Sequence, residues 1–141
     1  MNWSVANCKV LDLPKVQDHR GNLTFLEGQR HVPFDIKRVY YVYDVPGGAH
    51  RAAHAHRALH QLYIAISGSF DVHLDDGREQ KSFQLNRSHY GLYICPMVWR
   101  HIDNFSSNSV LLVLASEVYD EGDYIRDRDE FVRVVSESTK P

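Results

Sequence analysis

Three histidines and two arginines fall within eleven residues in "RAAHAHRALHQ", positions 51–61. His54 and His56 stand two apart, so on a β-strand both imidazoles leave the same face. An imidazole titrates near neutrality and is available there as acid or as base, which suits a facing pair to taking a proton from carbon and returning one. Imidazole nitrogen is also a ligand for iron, nickel, zinc or copper. With His60 a few residues on and His101 closing "PMVWRH", a four-histidine metal set is the second chemistry open to this stretch. A third reading makes the pair a decoration on a solvated edge strand. Against it, Ala52, Ala53, Ala55 and Ala58 leave space around the rings, as a pocket requires. The other histidines, His19, His31, His50, His73 and His89, have no evident partner and are expected on the surface or in loops.

The elements that must hold these residues read as strands. "NLTFLE", "IKRVYYVYDV", "LYIAI", "FDVHLD", "KSFQL", "YGLYIC", "WRHIDNF" and "VLLVLAS" are rich in β-branched and aromatic residues and bounded by turn residues. "SGS" at 67–69 and "DDG" at 75–77 fall between such runs, where tight hairpins need residues tolerant of positive φ. Near the C-terminus, "YDEGDYIRDRDEFVRVV" has room for a short helical turn or two. There is no long amphipathic helix, repeat or low-complexity linker. The expected architecture is all-β, a jelly-roll sandwich or small barrel whose interior holds one small ligand.

Composition narrows the function. At 141 residues the chain fits one domain, 1–141, with a core that needs no disulfide staples. The 16 Lys and Arg against 18 Asp and Glu leave a formal charge of −2 with no long block of either sign. That speaks against a nucleic-acid surface or a membrane patch and for a small-molecule partner. Two cysteines are too few for a disulfide framework, and Cys95 in its apolar run is expected to be core. With no apolar leader or span in view, the expected compartment is the cytoplasm.

"KRVYYVYDVPGGAHRAAHAHRALHQ", "SGSFDVHLDDG", "GLYICPMVW" and "VLLVLASEVYDEGDYIRD" resemble the cupin-fold sugar-nucleotide 3,4-ketoisomerases that act on dTDP-4-keto-6-deoxyglucose. The likeness runs from "DHRGNL" at 18–23 through "YDEGDYIRDRDEF". It implies a double-stranded β-helix jelly roll, a homodimer with exchanged N-terminal strands, no cofactor and no metal. It also implies a part in making dTDP-linked 3-amino-3,6-dideoxyhexoses for bacterial surface polysaccharides such as O-antigen, for glycans or for antibiotics. His60 and His101 depart from it, since acidic residues are usual at both places.

The implied reaction moves a carbonyl from C4 to C3 of a hexose through an enediol or enediolate, which two positioned acid/base groups accomplish. His54 and His56 are those groups, with His56 preferred as the base at C3. Arg51 is placed to meet the enediolate oxygen, because charge in a dry pocket needs a fixed donor. Tyr40 and Arg38 share one face of "KRVYYVY"; Tyr40 is a candidate proton relay, while Tyr41 and Tyr43 face the other way. Arg20 and Arg100 are the expected pocket arginines for the sugar nucleotide, whose pyrophosphate suits the planar guanidinium fork. "YDEGDYIRDRDEF" reads as a structural closing segment anchored by Tyr119, Tyr124, Ile125 and Phe131. Three other readings stand beside this one. They are a metal-dependent cupin on the four histidines, a non-catalytic sugar-nucleotide binding module, and a jelly-roll sugar-nucleotide epimerase, which is normally longer.

Overall fold

Alternation decides how the strands face. In the computed structural model, which describes residues 2–138, strand Phe70–Asp75 buries Phe70, Val72 and Leu74 and leaves Asp71, His73 and Asp75 only partly covered. Numbered along the chain, twelve strands form: β1 (Lys9–Asp12), β2 (Lys15–Asp18), β3 (Gly21–Thr24), β4 (Arg38–Val42), β5 (Arg51–His56), β6 (Gln61–Ser67), β7 (Phe70–Asp75), β8 (Gln80–Leu85), β9 (Tyr90–Ile94), β10 (Trp99–Asp103), β11 (Val110–Ala115) and β12 (Tyr124–Ile125). One helix, α1 (Arg128–Ser138), follows. All eight strands expected from the sequence form.

The strands make two five-stranded antiparallel sheets, in the orders β1-β9-β6-β11-β4 and β12-β5-β10-β7-β8, and β2 pairs with β3 as a separate hairpin. This is the jelly roll read from the sequence. The core lies between the sheets, where Val72, Leu74, Leu92 and Val113 are buried, while Leu62 and Ile64 are buried on the other face of β6. Behind the second sheet, α1 lays Phe131 and Val135 against Ala55 and Ile125 in a small satellite core. The hairpin turn expected at 67–69 needs its glycine: Gly68 has φ +70°, and a Cβ there would come within 2.8 Å of the Ser109 backbone.

Strand β5 is irregular just before the histidines. Arg100 pairs with His54 but His101 pairs with Ala52, so Ala53 is an extra residue in the ladder. Ala52 and Ala53 both take left-handed backbone, φ 69° and 59°. This β-bulge turns the strand at the entrance to the pocket, at two residues whose Cβ atoms carry the strain of positive φ.

Candidate active site

The two imidazoles enter the barrel together. Their rings meet edge to face with centroids 4.8 Å apart, and His54 is 8% exposed while His56 is fully buried. Both ring nitrogens of His54 and Nε2 of His56 have no hydrogen-bond partner within the protein. Buried polar atoms are rarely left so. His54 lies on the wall of a cavity of about 600 Å³, with Arg38, Tyr40, Arg51, Tyr63 and Tyr124 among its other lining residues. His56 lines a neighbouring cavity of about 280 Å³ with Arg38, Asp123 and Tyr124, and its Nδ1 is 3.0 Å from Asp123 Oδ2. Of the two imidazoles, His54 is the one on the wall of the larger cavity.

Arg100 lies beneath them, fully buried. Its Nη1 donates to Gln61 Oε1 at 2.6 Å, and its Nη2 donates to the Val98 carbonyl at 2.8 Å. Gln61 Nε2 in turn donates to the Tyr40 hydroxyl at 3.0 Å. The hydroxyl's acceptor side is thus occupied and its own proton is free for another acceptor. Burial pushes the Tyr40 phenol above its usual range, so it stays protonated. Burial first, and the Arg100 cation second, hold His54 down to about 3 and His56 lower still. Both imidazoles are neutral at pH 7, the form that accepts a proton.

The mouth is basic. Arg38, Arg51, Arg126 and His50 line it. Arg38 leaves its buried Nε without a partner, and its guanidinium lies over the Tyr40 and Tyr119 rings at 5.3 and 5.6 Å. Arg126 lies 4.1 Å from the Tyr124 ring centroid and is tied to Glu121 at 2.6 Å.

Several expectations are met and several corrected. Arg38 and Tyr40 line the cavity, whereas Tyr41 and Tyr43 are exposed. Arg51 is on the wall, at the start of β5. Cys95 is buried, 3.6 Å from Cys8. Arg100 does not line the open cavity; β10 points it inward, where its donors are taken up by Gln61 and Val98. Arg20 lies outside this chain's pocket, exposed at the β2–β3 turn and paired with Asp18 at 2.9 Å.

The four-histidine set does not assemble. His60 is hydrogen-bonded to the Tyr93 hydroxyl at 2.6 Å and packed against Trp3 and Phe34. His101 leaves the opposite face of β10 from Arg100, because alternate residues must. It stacks on His73, so His73 is a half-buried strand residue with partners rather than a lone surface histidine. His50 likewise lines the pocket mouth.

The larger correction is the C-terminal segment. β12 returns along β5, with Tyr124 opposite His56. Tyr124 covers both imidazoles, centroids 5.0 and 4.3 Å away, and Asp123 is brought to His56. Asp123 Oδ1 also accepts from the Ala58 amide at 2.8 Å, which fixes the carboxylate. Ile125 and Phe131 anchor the segment as expected, but Tyr119 is exposed at the mouth. The signal was present in "EGDYIR", where an acid precedes an aromatic residue in a loop; its pairing with β5 is not visible in the string.

A jelly roll that buries a histidine pair over a cation and opens it to a basic-mouthed cavity defines an enzyme of the cupin class. The family model described as FdtA, WxcM-like, C-terminal, matches residues 6–136, and the chain belongs to that family. It is 43% identical over 128 residues to the TDP-4-oxo-6-deoxy-alpha-D-glucose-3,4-oxoisomerase of Aneurinibacillus thermoaerophilus, covering 91% of this chain and 92% of the relative. The sugar 3,4-ketoisomerase QdtA from Thermoanaerobacterium thermosaccharolyticum, solved with TDP, is 41% identical with a TM-score of 0.93, covering 97% of this chain and all of the other. The WlaRB TDP-quinovose 3,4-ketoisomerase from Campylobacter jejuni is 50% identical with a TM-score of 0.86, covering 90% and 98%. The chain is accordingly a sugar-nucleotide isomerase.

Proposed function

We propose that the protein moves the keto group of dTDP-4-keto-6-deoxy-D-glucose from C4 to C3. The observation that carries this reading is the buried, neutral His54 with two unpartnered nitrogens on the wall of a sugar-sized cavity. The 4-keto group makes the C3 proton acidic. His54 takes that proton, and the electron pair flows into the C3–C4 bond and onto O4, giving an enediolate. Tyr40, held protonated with its acceptor side occupied, donates to O4, and Arg51 opposes the charge there. A proton returned to C4 and one removed from O3 complete the 3-keto product. His56, oriented by Asp123, relays protons between His54 and the sugar oxygens. No electrons leave the substrate, so the protein's own acids and bases suffice.

The unpartnered Arg38 Nε and the Arg51 and Arg126 side chains receive the pyrophosphate. Arg20 joins them from a second copy. In the proposed homodimer the β2–β3 hairpin is exchanged, which covers its exposed Val16 and Leu23 and the exposed Val39 and Tyr41 of edge strand β4. Arg20→Ala is then expected to weaken TDP binding while a light-scattering mass still reads two chains; a monomer in solution would end this assignment. The 3-keto product suits an aminotransferase that makes 3-amino-3,6-dideoxy sugars for bacterial glycans such as O-antigen, and the reaction belongs in the cytoplasm.

The deciding experiment incubates chelator-treated protein with dTDP-4-keto-6-deoxyglucose in deuterated water and follows the sugar by NMR. A 3-keto sugar carrying deuterium at C4 is expected. An unchanged sugar that nonetheless binds would make the protein a binding module, and turnover only after a divalent metal is added would restore a metal mechanism.

A further inference from the structure

The outer face of the second sheet carries another histidine group, on the far side of β10 from Arg100. His101 is directly opposite His73 in the antiparallel register, and Asp103 follows on the same face. The ligand atoms of these three side chains all lie within 4.8 Å of one another. The two rings stack with centroids 4.5 Å apart, His73 Nε2 is 2.7 Å from Asp103 Oδ1, and Ser82 Oγ is 2.7 Å from His73 Nδ1. All three residues are half-buried. A cleft of about 310 Å³ reaches His73 and His101, with Trp99 and Arg128 on its wall.

We propose that His73, His101 and Asp103 bind a borderline divalent transition metal such as Zn²⁺, at a site separate from the catalytic pocket. Two imidazole nitrogens and one carboxylate oxygen form a donor set that suits zinc, nickel or copper and is too rich in nitrogen for calcium or magnesium. The donors stand on paired strands rather than loops, so little ordering is left for the ion to impose. Ser82 supplies the outer contact that ligand histidines usually have. Its hydroxyl accepts from His73 in the Nδ1–H tautomer, which leaves the Nε2 lone pair free without moving the ring. Arg128, on the wall of the cleft, is paired with Asp75 at 2.7 Å and so opposes an incoming ion less. Water from the cleft completes the coordination. A metal here would tie β7 to β10 directly behind Arg100.

The test titrates ZnCl₂ into the chelator-treated full chain by calorimetry and follows thermal unfolding with and without zinc. One equivalent per chain and a raised unfolding midpoint are expected. His101→Ala and the near-isosteric Asp103→Asn should each weaken zinc binding by about tenfold or more, with metal-free unfolding close to wild type. His54→Asn should bind zinc as wild type does. Binding that survives His101→Ala and Asp103→Asn but is lost in His54→Asn would assign the metal to the catalytic pair and overturn the proposal. Absence of heat and of any midpoint shift with zinc in several-fold excess would overturn it as well.

Discussion

Strand β10 separates two imidazole pairs that spacing alone does not distinguish. On its inner side His54 and His56 lie 4.8 Å apart, buried over the Arg100 cation. On its outer side His73 and His101 lie 4.5 Å apart, half-exposed beside Asp103. Burial and Arg100 both oppose positive charge on the inner pair, so both rings stay neutral and fit to accept a proton. On the outer pair burial also lowers His101, but Asp103 works against that shift. The third partner and the depth of burial therefore decide what two histidines do.

The comparison breaks most completely at His54. His54→Asn should reduce isomerase turnover by about 10²- to 10⁴-fold, the usual worth of a positioned general base, while the corresponding change at His73 leaves turnover near wild type. NMR assay of both variants checks this. The same substitution has a stability signature of known sign. His54 is held down to about 3 in the folded protein and has an ordinary value of 6.5. Between those pH values the unfolded chain binds the extra proton, so the wild type loses stability as pH falls below 6.5. The asparagine variant lacks this titration, and urea unfolding at pH 7 and pH 5 should show it losing less.

Asp123→Asn is expected next, at about ten- to a hundredfold in kcat with little change in KM, as for other groups that orient a functional histidine. The amide keeps an oxygen for the Ala58 N–H but turns a donor toward His56 Nδ1, which forces the other tautomer. A proportional rise in KM would instead mark Asp123 as part of the sugar-binding wall. Arg100→Met sharpens the comparison through charge. With the cation gone, the His54 resonances should titrate at higher pH than in wild type, and those of His101, on the other face of β10, should not move. Turnover should fall as well, because Gln61 loses its donor and no longer fixes the Tyr40 hydroxyl.

Much of this was legible in the string because strands alternate. The two-residue spacing of His54 and His56, and of Arg38 and Tyr40, placed each pair on one face, and both pairs line the interior. The same rule held the correction for His101: once Arg100 points inward, its neighbour must point outward. What the string could not carry was long-range pairing. Asp123 is 67 residues from His56, and only the return of β12 along β5 joins them. His73 and His101 were equally unreadable as a pair, since their contact depends on the β7–β10 register.

The smallest expected effect lies at the bulge that sets the two faces apart. Ala52 and Ala53 hold left-handed backbone, and Ala53 is the residue without a partner on β10. A left-handed residue with a Cβ is strained by about 1–2 kcal/mol, whereas glycine avoids that strain but loses about 0.5–1 kcal/mol of chain entropy on folding. Ala53→Gly should therefore stabilise by between about 0 and 1.5 kcal/mol, with turnover retained. Ala53→Val puts a branched side chain where φ is 59° and should destabilise by more than the glycine change gains. If β5 escapes the strain by losing its bulge, one residue of register is removed and His54 leaves the inner face, because each single-residue slip reverses every side chain. Turnover would then fall far more than stability. A valine variant with lowered stability and full activity would show that the bulge is not what aims His54.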